Sequence, residues 1–221
     1  MQGRALQIGK LWYSKFMPGR NRVKIYAPES YYHVYNRGAN KQVIFVDEQD
    51  YAVFLNLLKR YLGKEHVKDN SGREYRNLHD ELELLAFCLM PNHFHLLIYQ
   101  KEQEVMSVLM QGVATSYTMY FNNRHTRIGP LFQDRFKARM INRDQYLQHI
   151  SRYIHLNPDE YKNWEFSSMP YYEGKKNSEW IQPQRILELF SGDYLKFVDD
   201  YKDYKKSLDE IKYELANNPD E

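Results

Sequence analysis

Residues 82–99 constrain the fold of this chain more than any other stretch. Leu82 to Leu89 is a largely apolar β run, Pro91-Asn92 is a turn signal, and His93-Phe94-His95-Leu96-Leu97-Ile98 follows. Two such runs joined by two residues make a tight antiparallel hairpin. Side chains on a strand alternate faces, so His93 and His95 point one way and Phe94, Leu96 and Ile98 the other. The apolar set anchors one face in a core. The imidazoles share the opposite face, near the start of their strand.

The rest of the chain can be built around that hairpin. Tyr31 to Tyr35 is rich in β-formers and stops at Asn36-Arg37-Gly38, which predicts a strand. Asp47-Glu48-Gln49-Asp50 is cap-like, and Tyr51, Phe54, Leu55, Leu58 and Leu62 recur at helical spacing until Gly63. Residues 64–80 are polar and predict a loop. Val105, Val108, Leu109, Val113 and Tyr117 form one stripe of a second helix over roughly 104–122. Phe136, Ala138 and Met140 alternate with Arg135, Lys137 and Arg139, which suits a half-buried strand. Asp144 opens a third helix carrying Tyr146, Leu147, Ile150, Tyr153 and Ile154, and Asn157-Pro158 stops it. The order β-α-β-β-α-β predicts a ferredoxin-like α+β fold: a four-stranded antiparallel sheet with helices on one face. Residues 184–216 predict one or two amphipathic helices. The expected division is a basic extension (1–30), a catalytic domain (31–170) and a C-terminal helical appendage (171–221).

Composition narrows the setting. A chain of 221 residues can bury a sizeable core, about 70% of its unfolded surface. One cysteine, Cys88, sits in an apolar run and excludes a disulfide framework. No run approaches the roughly 20 apolar residues of a membrane span. A cytoplasmic protein with no membrane partner is expected. The net charge of +2 does not by itself demand nucleic acid. Locally, however, Arg124, Arg127, Arg135, Lys137, Arg139 and Arg143 crowd one segment against a single internal acid, Asp134. With Phe132 and Phe136 interleaved and Tyr120 nearby, that segment fits a groove tracking phosphates with aromatic platforms for bases. Arg37 is a further phosphate candidate.

Two histidines on one strand face make a metal clamp that needs a third ligand from the protein or the substrate. Tyr153 and Asn157, four residues apart, are expected on one face of the third helix. Asn157 offers an amide oxygen suited to a divalent cation, and Tyr153 a phenol that could attack. Among side-chain hydroxyls a phenol is a fair nucleophile and a fair leaving group, its pKa being about 10. The expected metal is Mg²⁺ or Mn²⁺. Tyr117 and Tyr120 lack an amide ligand four residues on and are expected to pack or stack, and His155 is expected to be structural or to contact DNA.

Four blocks carry a resemblance: Tyr35-Asn36-Arg37-Gly38; Cys88-Leu89-Met90-Pro91-Asn92-His93-Phe94-His95-Leu96-Leu97; Gly129-Pro130-Leu131-Phe132-Gln133-Asp134-Arg135-Phe136-Lys137; and Arg152-Tyr153-Ile154-His155-Leu156-Asn157-Pro158. In this order and spacing they resemble the single-tyrosine transposases of the HUH (His-hydrophobic-His) endonucleases, in the branch related to REP-associated tyrosine transposases. The resemblance spans about residues 31–170. It implies a ferredoxin-like fold and metal-dependent cleavage and rejoining of single-stranded DNA through a 5′-phosphotyrosine, beside a DNA hairpin. It implies His93 and His95 as metal ligands, Asn157 completing the site, and Tyr153 as nucleophile. Many members place glutamine where Asn157 stands. The shorter amide leaves open ligation through water. Also left open are a homodimer with Tyr153 acting in trans, a catalytically silent DNA-binding protein on the same fold, and a nuclease using activated water.

Overall fold

The computed structural model describes residues 26–200. Most of the expected basic extension, and residues 201–216 of the expected C-terminal helices, lie outside the described residues.

Four strands, β1 (Ser30–Arg37), β2 (Leu82–Met90), β3 (His93–Gln100) and β4 (Lys137–Ile141), form one sheet in the order β2-β3-β1-β4, every neighbouring pair antiparallel. Helices α1 (Glu48–Leu62) and α2 (Val105–Arg124) connect them. This is the four-stranded antiparallel α+β arrangement that the element order predicts. Asp47 caps α1 by accepting from the Gln49 and Asp50 amides at 3.1 and 3.3 Å. The apolar stripe of α1 (Phe54, Leu58, Leu62) and that of α2 (Leu109, Val113, Tyr117) bury against Val34, Phe94, Leu96 and Ile98 of the sheet.

The other face is covered as well. Helix α3 (Asp144–His155) lays Leu147, Ile150 and Ile154 onto Leu85, Cys88 and Leu97. Each of these buried aliphatic chains contributes about 1.5–3 kcal/mol. Three short helices, α4 (Met169–Tyr172), α5 (Gln184–Leu187) and α6 (Tyr194–Asp199), close over α3 and share its core through Tyr172, Ile186 and Tyr194.

Strand β2 is buried on both faces and carries one irregularity. The β2–β3 register shifts between Leu84 and Ala86. Leu84 faces the α1/α2 core, Leu85 and Ala86 both face the α3 core, and Phe87 returns to the first. Such a bulge is one extra residue in one strand of a pair. The Leu85 carbonyl accepts from the Tyr172 hydroxyl at 3.0 Å.

Candidate active site

The two-residue turn Pro91-Asn92 delivers the histidines. Pro91's carbonyl accepts from the Ile44 and Phe45 amides at 2.8 and 3.0 Å, and Asn92's carbonyl from the Gly38 amide at 2.9 Å. Gly38 is needed there, because a Cβ would stand 2.2 Å from the Gln42 carbonyl oxygen. Cross-strand register places Arg37 opposite His93 and Tyr35 opposite His95. His33, Tyr35, His93 and His95 therefore share the sheet face that α3 covers.

Tyr153 reaches this face from α3 of the same chain. Its ring centroid lies 5.3 Å from that of His95 and 5.8 Å from that of His33, edge-on to both. Asn157 does not continue the helix, as the four-residue spacing had suggested. α3 ends at His155 with Leu156 as C-cap, and Pro158 disfavours helical backbone at the residue before it. Asn157 still arrives, with Oδ1 3.0 Å from His93 Nε2.

One chain of hydrogen bonds holds α3 from behind. The Phe87 amide donates to Ser168 Oγ (2.9 Å), whose hydroxyl donates to His155 Nε2 (2.7 Å). His155 Nδ1–H then donates to the Tyr194 hydroxyl (2.7 Å), which donates to Ser151 Oγ (3.2 Å), which donates to the Gln148 carbonyl (2.8 Å). This assignment satisfies every group and places the His155 proton on Nδ1; the Ser168 hydroxyl also has the Phe87 carbonyl within 3.2 Å. Burial holds His155 down to about 3. It is a structural residue, out of reach of DNA. Arg152 and Gln148 add bonds from α3 to the Phe197 and Leu189 carbonyls at 3.2 and 2.7 Å.

Burial shifts the four titratable groups gathered here, His33, His93, His95 and Tyr153. Burial lowers His33 to about 3. It also takes His95 well below its usual value, helped by His33 and His93. Burial likewise lowers His93, while the Asn157 amide oxygen beside it pulls the other way. Tyr153 is raised above the ordinary phenol value by burial, against the opposing bond of Asn157. The three imidazoles are thus neutral at neutral pH and the phenol is protonated.

Among the described residues no group of three or more His, Cys, Asp or Glu could hold a metal ion. A cation here needs Asn157 or substrate oxygens beside the two histidines. The donor set fits one. His93 Nδ1 faces Asn92 Oδ1 at 2.7 Å while Nε2 faces Asn157 Oδ1. A neutral imidazole donates from one nitrogen only. With Nδ1–H given to Asn92, the Nε2 and Asn157 Oδ1 lone pairs face each other, an arrangement that a cation relieves. Their separation also equals the edge, about 3 Å, of an octahedron with the ~2.1 Å bonds of Mg²⁺.

The site opens into a cavity of about 560 Å³ whose lining includes Tyr35, Arg37, His93, His95, Arg135 and Tyr153. A second cavity of the same volume, lined in part by Arg60, Lys64 and Trp180, holds none of these groups, so chemistry and not size distinguishes the two. The expected basic residues separate. Arg37, Arg135 and Lys137 line this cavity, and Arg139 follows on the same face, opposite His33. Arg124 is committed elsewhere, with its guanidinium 2.6 Å from the buried Asp50 and 2.7 Å from Asp47. Arg127 bonds Asn122 and Gln42 at 3.1 and 2.8 Å. A buried carboxylate needs a countercharge, and that breaks the expected continuous groove. The expected stacking platforms are also occupied. Phe132 packs on Phe94 and Tyr117 in the core, Tyr120 donates to Asp50 at 3.0 Å, and Phe136 packs against Tyr26. Sequence reasoning did not place His33 and Tyr35 beside the histidine pair, nor Lys41 and Gln133 in the lining of this cavity. The first two share a face once Tyr31–Tyr35 is a strand, which was the available signal.

A ferredoxin-like sheet bearing a His-hydrophobic-His pair, with a tyrosine brought over it by a helix of the same chain, defines the class. Residues 28–157 match the family model described as "Transposase IS200 like". That match covers more than half the chain, which belongs to this family of DNA transposases and is an enzyme of that class. No curated protein matches it. A solved REP-associated tyrosine transposase bound to a REP hairpin aligns over 73% of this chain and 90% of its own, at a TM-score of 0.51 and 15% identity. A crystal structure of a proposed transposase from Deinococcus radiodurans R1 aligns over 62% and 93%, at 0.37 and 18%. Among the described residues no helix is long and apolar enough to cross a membrane.

Proposed function

We propose that this transposase cuts and rejoins single-stranded DNA through a 5′-phosphotyrosine on Tyr153, beside a divalent cation held by His93, His95 and Asn157. The observation that carries the reading is the convergence, within one chain, of Tyr153 on His95 and of Asn157 Oδ1 on His93 Nε2. A bound Mg²⁺ or Mn²⁺ would neutralise charge on the scissile phosphate and favour the phenolate. The chain's own residues do the rest. The Tyr153 oxygen attacks phosphorus and loses its proton to solvent, while the bond to the 3′-oxygen breaks and that oxygen leaves as a hydroxyl. Attack by the 3′-hydroxyl of a second strand reverses the step and frees Tyr153. Arg37, Arg135 and Lys137 hold the backbone of the strand along the cavity, with Arg139 next on the same face. The hairpin in the structural neighbour supports a hairpin-flanked substrate here too. The catalytic unit is assigned to 31–170. Residues 171–221 are assigned as an appendage, of which the described part, to residue 200, braces α3, and 1–30 as a basic extension. Because Tyr153 already reaches the histidines of its own chain, it acts in cis.

The test is covalent capture. Purified protein with Mn²⁺ and a hairpin-flanked single-stranded oligonucleotide should give a denaturant-resistant adduct, and Tyr153→Phe should abolish adduct and cleavage while binding persists. Cleavage by Tyr153→Phe would point to a water-using nuclease. No adduct from the wild type would point to a DNA-binding protein without activity.

A further inference from the structure

His33 stands behind His95, away from the cavity. Its Nε2 lies 2.9 Å from His95 Nδ1, with both rings buried and their planes 22° apart. Its other nitrogen, Nδ1, is buried without a hydrogen-bond partner. A phenylalanine or leucine at this position would carry no orphaned polar atom of its own. An imidazole there is explained by the one bond it makes.

That bond determines what His95 can do. Two neutral imidazoles sharing one hydrogen bond have two arrangements. In one, His33 Nε2–H donates to His95 Nδ1, which puts the His95 proton on Nε2 and leaves no lone pair for a ligand. In the other, His95 Nδ1–H donates to His33 Nε2, and His95 Nε2 keeps its lone pair. Metal-bound histidines generally give their second N–H to a fixed acceptor, which sets tautomer and ring orientation. His93 has the same provision on its own strand, with Nδ1 2.7 Å from Asn92 Oδ1.

We infer that His33 is a positioning residue of the metal centre: it accepts the Nδ1–H of His95 and so presents the His95 Nε2 lone pair to the cation. The inference rests on the metal reading above, but the tautomer can be read without a metal. ¹⁵N spectra of the imidazoles in metal-free full-length protein should show His95 as the Nδ1–H tautomer. In His33→Phe it should change to Nε2–H or to a mixture. His33→Gln, whose Oε1 can accept the same bond, should keep the wild-type signature. Mn²⁺ binding without DNA should weaken by about 10–100-fold in His33→Phe and by no more than about threefold in His33→Gln. Wild-type His95 carrying its proton on Nε2 would overturn the inference, as would unchanged Mn²⁺ affinity in a folded His33→Phe. If His33→Phe does not fold, His33→Gln and the wild-type spectrum decide. If wild type binds no Mn²⁺ yet shows the expected tautomer, the metal reading fails and the His33–His95 bond stands.

Discussion

Removing one oxygen from the hydrogen-bond chain behind α3 should loosen the support of the helix that carries Tyr153 by a calculable amount. Tyr194→Phe keeps the ring that packs on Tyr172 and Phe190 but deletes the hydroxyl between His155 and Ser151. Ser151 retains its own bond to the Gln148 carbonyl. His155 Nδ1–H, on a ring with no exposed surface, is left without an acceptor. An orphaned buried donor costs about 1–3 kcal/mol. Taking the middle, ~2 kcal/mol lowers Tm by about 4–8 °C for a chain of this size. Urea or thermal unfolding measures the loss. His155→Phe should cost a similar amount, and the double variant should fall short of the sum by about 1–2 kcal/mol. A loss for Tyr194→Phe under about 0.5 kcal/mol, or additivity in the double variant, would refute the chain as assigned.

Other outcomes follow from the same geometry. The rate of adduct formation should climb about tenfold per pH unit from pH 6 to about 9, because burial raises the Tyr153 phenol; a plateau near pH 7 would contradict this. His155, held to about 3 when folded, contributes stability that is complete above its unfolded value and is lost as pH falls from about 6.5 toward 3. The unfolding free energy should drop by about 2 kcal/mol between pH 8 and pH 5 from this ring alone, and His155→Phe should flatten that slope. Arg124→Ala should lower Tm and leave the salt dependence of DNA binding intact. Arg135→Ala should weaken binding across sequences and reduce the slope of log K against log salt by about one contact.

The hairpin and the shared face of His93 and His95 were legible because strand alternation is local. So were α1 and α3, whose apolar periods are strong, and α2 through its stripe of Val105, Leu109, Val113 and Tyr117. What escaped depends on pairing between distant segments. The position of β1 between β3 and β4 brings His33 beside His95, 62 residues away in sequence. The pairing of Arg124 with Asp47 and Asp50 spans 77 and 74 residues. The end of α3 before Asn157 was foretold by Pro158, yet the helical spacing of Tyr153 and Asn157 suggested continuity. That α3 covers the face opposite α1 and α2 could not be read from its stripe, which says only that one side is buried.

Strand β3 makes the chemistry depend on a count. Inserting or deleting one residue between the turn and His95 would exchange the imidazoles with Phe94 and Leu96, turning them into the α1/α2 core. A two-residue change would restore the faces but slide the pair roughly 7 Å along the strand, past Asn157. The bulge in β2 absorbs its extra residue on the strand next door and leaves the phase of β3 untouched. Length variants should therefore be tolerated in the 64–80 connection, whereas indels at 91–95 should produce folded chains without a site.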